Sequence, residues 1–458
     1  MHMRRHNQIL TFPLVLLLGL AVGCRPSEPD AQLVAQWLRT SLAFVRAERL
    51  GPPVAARISA YASIALYEGY AADPKSRLRS LAGQVNGLWS VPVATADKAV
   101  DGATVAAEAE RVVLDSLFSE GFPGTRRTID SLAAAQIEAR RRAGVKGDLR
   151  ERSLAHGRAL ARAILAWAAT DGFFATRGRV WQAPSSASQW VNAVATNHAV
   201  VTSPPRTLGP KTTLPRFDPL TPTEPYWGSL RPFALRNGDE CAPPVPPTYS
   251  QRPGSSFWKM GKEFYDSVRT LEAEKKAIAL FWADNPVATG TPGFHWISVA
   301  NQMTAMRHLR ADQAAEAYML TSVAIADAFI GCWKEMYRSL VVRPVTFVHR
   351  VFEAKWNTEV ATPPFPEYPS GHSTVSGAAA EVLITLLGDS IPFTDSTQVD
   401  IGAPARSYRN FTHALDEAAI SPVYGGIHYM PAAVFGTAQG KCIGQRVLGR
   451  LRTRVGRT

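Results

Sequence analysis

Apolar residues recur every three to four positions through most of this chain, the period of a helix with one buried face. Leu33, Trp37, Leu38, Leu42 and Val45 form the first such stripe. Gly51-Pro52-Pro53 interrupts it, and an Ala-rich helix is predicted over 55–70. Residues 74–95 read as a loop, with Gly83, Gly87 and Pro92. Helices follow over 103–118, 128–143 and 150–171, the last two carrying Arg and Glu on solvated faces. Residues 172–256 lose the period. Prolines crowd 204–247, and Tyr226, Trp227 and Phe233 are the anchors of a long connection. Helices resume over 256–271, 271–283, 297–307, 311–340, a segment opening at Ser370, a short turn at 417–419, and 434–450. Period-two alternation is nearly absent, so the fold class is all-α with trivial strand content.

Composition narrows the picture. The chain has 458 residues, 46% of them hydrophobic, enough for a sizeable core. A formal charge of +12 suits anionic substrates or lipid headgroups. No nucleic-acid motif is present, and nucleic acid is not an expected partner. Cysteine spacing offers no zinc motif.

The N-terminus reads as an export signal. Arg4 and Arg5 precede an apolar run over 10–22, too short to span a bilayer, and Ala21-Val22-Gly23-Cys24 follows. That end is similar to a bacterial lipobox. Cleavage before Cys24 and lipidation of its thiol would place the mature protein on the periplasmic side, tethered to the outer membrane, with the lipid as its only membrane contact. No transmembrane helix is expected in the mature chain. The domain plan is a signal peptide (1–23), a lipidated N-terminus and linker (24–32), an N-terminal helical region with the Pro-rich connection (33–255), and a C-terminal catalytic-type domain (256–450). With Cys24 lipidated, Cys241, Cys332 and Cys442 allow at most one disulfide, whose pairing the sequence leaves open.

The candidate chemistry centres on Pro363-Pro364-Phe365-Pro366-Glu367-Tyr368-Pro369-Ser370-Gly371-His372. A stiff, Pro-rich approach ends at Ser370, a helix N-cap. The helix N-terminus presents free N–H groups, which suit an oxyanion. Two further stretches are Cys332-Trp333-Lys334-Glu335, leading to Arg343-Pro344, and Ala419-Ile420-Ser421, leading to Gly425-Gly426-Ile427-His428.

These ordered motifs resemble those of the vanadium haloperoxidase and type 2 phosphatidic acid phosphatase superfamily, nearest its bacterial chloroperoxidase-like branch. The resemblance implies two packed helical bundles with the site in the C-terminal one. It implies that His428 holds vanadate or attacks phosphate, with His372 as acid/base. Arg343, Ser370 and Gly371 would bind the oxyanion, and Trp333 and Phe365 would flank the halide. Asp284, in Phe281-Trp282-Ala283-Asp284, matches the family carboxylate expected to orient His428.

Two departures stand out. Met336 occupies the place of a family Lys seven residues before Arg343, and Pro422 that of a family Arg six before His428. Lys334 and Arg338, two positions either side of Met336, lie about 200° away on the opposite helix face, which leaves Arg350, Arg406 and Arg409 as further candidates. Three readings follow: a haloperoxidase taking halide and peroxide with vanadate as cofactor, a phosphatase acting on a phosphoester through phosphohistidine, or a degenerate anion-binding or structural lipoprotein.

Overall fold

A computed structural model describes residues 30–192, 206–207, 214–286 and 289–455. The signal segment and Cys24 lie outside the described residues.

The helix starts are written in the sequence. Asp30 caps α1 (Ala31–Ala47) through the N–H of Gln32. Pro52 and Pro53 occupy the first turn of α2 (Pro52–Ala71), where their missing N–H groups cost nothing. Asp101 caps α3 (Gly102–Leu117) through the N–H of Thr104. Then come α4 (Pro123–Arg142), α5 (Gly147–Ala168) and the single turn α6 (Phe173–Thr176). Within the connection, β1 (Val180–Trp181) pairs antiparallel with β2 (Arg206–Thr207).

The C-terminal half holds α7 (Ser256–Val268), α8 (Ala273–Phe281), α9 (Thr291–Met306), α10 (Ala311–Ser339) and α11 (Pro344–Val351). It continues with α12 (Gly371–Leu387), a two-stranded ribbon of β3 (Phe393–Asp395) and β4 (Arg406–Tyr408), α13 (Phe411–Tyr424) and α14 (Met430–Arg450). The fold is all-α, as expected. Three helices escaped the periodicity. The single turn α6 and the eight-residue α11 are too short to show a stripe. The helix expected only at 417–419 runs from Phe411 to Tyr424 and carries Pro422 inside it.

Helix α10 is the axle. Within residues 311–351 an 18-residue window is apolar enough to cross a membrane, and that window is wholly buried. The helix packs against α2 on one side and α12 on the other. One hydrophobic cluster therefore runs from Val34 and Trp37 through Tyr318 and Phe329 to Val375 and Ile443. On the site side, α12 and α14 touch at backbone distance. A Cβ on Gly440 would stand 2.0 Å from the Thr374 carbonyl oxygen, and one on Gly377 2.7 Å from that of Thr437. Glycine is required there for the helices to close. A disulfide joins Cys241 in the connection to Cys442 in α14, leaving Cys332 free and buried.

Candidate active site

Arg343 is the N-cap of α11 and is completely buried. Pro344 fixes the first helical turn, so the Arg343 side chain points away from α11 into the junction with α12 and α14. Its Nε donates to the Phe365 carbonyl at 2.9 Å, and Nη1 donates to the Ile427 carbonyl at 2.7 Å and to His428 Nε2 at 3.0 Å. Nη2 is buried with no partner. The guanidinium lies 4.8 Å from the centre of the Phe365 ring. Burial pushes its pKa down to about 10, opposed chiefly by the Glu367 carboxyl, so it remains a cation at neutral pH.

His428 sits between α13 and α14, its own N–H bonded to the Pro422 carbonyl at 3.2 Å. Its Nδ1 lies 3.2 Å from Glu367 Oε1, which also accepts the Tyr429 N–H at 2.8 Å. A guanidinium can only donate, so Nε2 must be the acceptor, and the proton resides on Nδ1, facing Glu367. Burial, then Arg343 and His372, hold the imidazole well below its ordinary pKa. It is a neutral ring with a directed Nε2 lone pair. Burial raises the Glu367 carboxyl to about 8, against the pull of the Tyr429 N–H and Arg343.

Glu367, not Asp284, is thus the partner of His428. Asp284 is buried elsewhere: both its oxygens lie 3.0 Å from His295 Nδ1, and Gln398 donates to it at 2.8 Å. The residue stands at φ 45° just after α8, which turns its side chain toward α9 and away from His428. Sequence reasoning passed over Glu367, although it is the single carboxylate in the Pro-rich run before Ser370. A buried carboxylate in an apolar, proline-stiffened stretch is the signal that could have found it.

Ser370 caps α12, its Oγ accepting the N–H of Ser373 at 3.3 Å and that residue's hydroxyl at 2.8 Å. Its own N–H donates to the Ala432 carbonyl, tying α12 to α14. A Cβ on Gly371 would meet nothing nearer than Trp333 Cζ3 at 3.5 Å, and its φ is not left-handed. The protein's own packing therefore does not require glycine there. His372, in the first turn, faces the Ala283 carbonyl through Nε2 at 3.3 Å. Burial, followed by the opposing Asp284, leaves its pKa lowered, with Arg343 and His295 pushing the same way as burial. The Trp333 ring packs 4.8 Å from Phe365, and its Nε1 donates to the Thr223 carbonyl at 3.0 Å. Arg343, Phe365, Trp333, Gly371 and His428 are thus linked by contact, with Ser370 and His372 on the same helix turn as Gly371.

The substituted positions are filled, not compensated. Met336 is fully buried, its Cε 3.8 Å from where a Gly371 Cβ would stand, so a methyl occupies the mouth of α12. Pro422 is buried inside α13. Lys334 pairs with Asp239 and Arg338 with Glu335. Arg406 is held by Glu417 and Glu274. Arg350 donates to the Ala187 carbonyl, and Arg409 is exposed. A cavity of about 110 Å³ at Arg177, Trp181, Thr223 and Glu224 is lined by none of the expected site residues.

Comparison with known proteins follows the same lines. Residues 316–457 match the family model described as the VCPO second helical-bundle domain. A bacterial vanadium-dependent iodoperoxidase of solved structure is 33% identical, with 94% of this chain and 98% of that one covered at a TM-score of 0.80. The chain belongs to the vanadium haloperoxidase superfamily. A holo-type bacterial vanadium-dependent chloroperoxidase (16% identity, 92% of this chain and 95% of that one, TM-score 0.61) shares the fold. So does an apo-type bacterial chloroperoxidase (14%, 87% and 94%, 0.59). No curated protein matches the sequence. The motifs lead one to expect three cations at the site, and among the described residues the guanidinium of Arg343 is the cation in contact with His428.

Proposed function

We propose that the protein is a vanadium-dependent haloperoxidase-type enzyme that oxidises halide, iodide foremost, with hydrogen peroxide. The observation that carries this reading is the state of His428: Glu367 on Nδ1 and Arg343 on Nε2 fix a neutral ring whose lone pair is directed at one point. The 33% identical iodoperoxidase suggests the halide.

The residues fit a His-held oxyanion. Arg343 Nη2 is a buried donor without a partner, and Gly371 leaves room that protein packing does not need. His428 Nε2, Arg343, the Ser370 hydroxyl and the free N–H groups opening α12 would hold vanadate. When bound, that group supplies a Lewis acid that activates peroxide toward halide. The Arg343 Nη1 contact must leave His428 Nε2 to make way, so Arg343 guards the ligand position before it binds the ligand. His372 Nε2 carries its proton toward the Ala283 carbonyl, which leaves Nδ1 as a proton acceptor. A neutral His372 would offer Nδ1 to take up a proton from the bound substrate and to return it. Phe365 and Trp333 give the halide an apolar wall, where a weakly hydrated anion loses least on desolvation.

The second reading, a phosphatase working through His428, uses the same lone pair. It needs a proton donor for the leaving group, a role that His372 would fill once protonated. Vanadate titration by calorimetry, peroxide–iodide turnover and phosphomonoester hydrolysis, all on one preparation, decide among the readings. Vanadate binding with iodide oxidation is expected. Phosphoester turnover without it would favour the phosphatase, and binding of neither anion would leave a structural lipoprotein.

We further propose that the protein is exported and lipidated at Cys24. The Cys241–Cys442 disulfide supports an oxidising compartment. Radiolabelled fatty acid should mark the wild type, and equal labelling of Cys24→Ser would refute the anchor.

A further inference from the structure

His295 lies on α9, is 3% exposed and belongs to no motif that led to the site. Its Nδ1 is 3.0 Å from both oxygens of Asp284, and its Nε2 is 2.8 Å from Asp395 Oδ2. Carboxylates only accept, so both ring nitrogens donate and the ring is an imidazolium between two anions. The two carboxylates outweigh burial and raise its pKa to about 10. The ring stacks on Trp282 with centroids 4.3 Å apart. The remaining acceptor capacity is used as well. Gln398 Nε2 lies 3.0 Å from His295 Nδ1 and, both being donors, directs its hydrogen to Asp284 at 2.8 Å, while the Thr397 N–H and hydroxyl donate to Asp395 at 2.9 and 2.7 Å.

Asp284 holds a left-handed backbone, φ 45°, which L-residues adopt at a cost unless something pins them. Here the pins are His295 and Gln398. The peptide just before this strained residue carries the Ala283 carbonyl, which receives His372 Nε2–H. The chain of contact therefore runs from Asp395 to His295 to Asp284, through one peptide unit, to His372. We propose that Asp284, His295 and Asp395 form a positioning triad that locks the left-handed turn at Asp284 and thereby fixes which nitrogen of His372 faces the ligand. The proposal deepens the haloperoxidase reading and rests on it for the role of His372, but not for the geometry. Asp284 is thus a positioning residue for the acid/base histidine, not for His428.

The test is nuclear magnetic resonance on the full chain with ¹⁵N-labelled histidine, peaks being assigned by His372→Gln and His295→Gln. In wild type, His295 should be doubly protonated at pH 8, and His372 should show an Nε2–H protected from solvent exchange. In His295→Gln and in Asp284→Gly, His372 Nε2–H should exchange roughly tenfold faster or more, the loss of about one ordinary hydrogen bond. Asp284→Gly removes the pin while taking the positive φ without strain, so it reports even if His295→Gln fails to fold. Asp395→Asn keeps an acceptor oxygen for His295 Nε2 and should keep the protection, whereas Asp395→Ala removes that acceptor and should speed the exchange. A singly protonated His295 in wild type, or unchanged His372 protection in Asp284→Gly, would overturn the proposal. Absence of vanadate binding in a wild type that shows both signatures would overturn the haloperoxidase reading and leave the triad standing.

Discussion

Arg343 Nη1 and His428 Nε2 meet at 3.0 Å, a cation donating to the nitrogen that the family chemistry needs free. The contact is possible only because Glu367 takes the proton-bearing side of the same ring. Removing Glu367 should therefore disturb both. Glu367→Ala leaves the His428 Nδ1–H and the Tyr429 N–H buried without an acceptor, at about 1–3 kcal/mol each. Urea denaturation should show a loss of at least about 2 kcal/mol. Glu367→Gln keeps an acceptor oxygen and should lose less. Equal stability of the two variants would show that the acceptor at this position does not hold the ring.

The triad makes a pH prediction. His295 is raised in the folded state, so it contributes stability in full below its unfolded value of about 6.5. That contribution is lost as pH rises toward about 10. The slope is at most about 1.4 kcal/mol per pH unit for one proton. Glu367, raised to about 8, also removes stability as pH rises, between its unfolded value near 4.5 and 8. His372 and His428 are lowered and act oppositely, costing stability as pH falls through and below 6.5. The difference between wild type and His295→Gln isolates the triad. It should shrink steadily from pH 7 to 10, and a constant difference over that window would contradict a buried imidazolium.

Much of this was legible in the chain. The Ser370 cap was a local signal and α12 opens directly after it, whereas Pro52-Pro53, read as a break, form the first turn of α2. Arg343, Gly371, Trp333, Phe365 and His428 carried motif spacing, and they are in contact. What the sequence hid were pairings across long separations. The Glu367–His428 bond spans 61 positions and His295–Asp395 spans 100, and neither has a periodic or local signature. The assignment of Asp284 to His428 failed because a left-handed residue aims its side chain by backbone geometry, which residue order does not show.

The Cys241–Cys442 bridge closes a loop across 201 positions and ties the Pro-rich connection to the last helix. Chain entropy for so long a loop gives roughly 5 kcal/mol, and strain or residual unfolded-state structure reduces it. Reduction, or Cys442→Ser, should lower the denaturation midpoint markedly while leaving Cys332, buried with its pKa raised, unmodified by thiol reagents until the chain unfolds. A midpoint unchanged under reducing conditions would mean that the Arg450–Glu240 ion pair and the Asp327 bonds to the N–H groups of 233–235 hold the connection without the bridge.

Met336→Lys tests the missing cation directly. The Met336 thioether ends beside Gly371, at the opening of α12, and a Lys stem fits the space of a Met. Its ammonium would arrive where the helix N-terminus and Arg343 already favour an anion. In the anion-free protein that charge would be buried against Arg343, at a cost in stability. With vanadate or phosphate bound, it would add one charge-assisted hydrogen bond of about 1.5–3 kcal/mol. The variant should therefore unfold earlier than wild type without anion, recover in its presence, and bind vanadate about tenfold to a hundredfold more tightly by calorimetry. Pro422→Arg is a poorer probe, because the Pro422 carbonyl accepts the N–H groups of Ile427 and His428, and a changed backbone would move the ligand histidine itself. If Met336→Lys is destabilised without anion and gains nothing from vanadate, the ammonium does not reach the bound anion. The single guanidinium of Arg343 would then be the whole of the charge that this site offers.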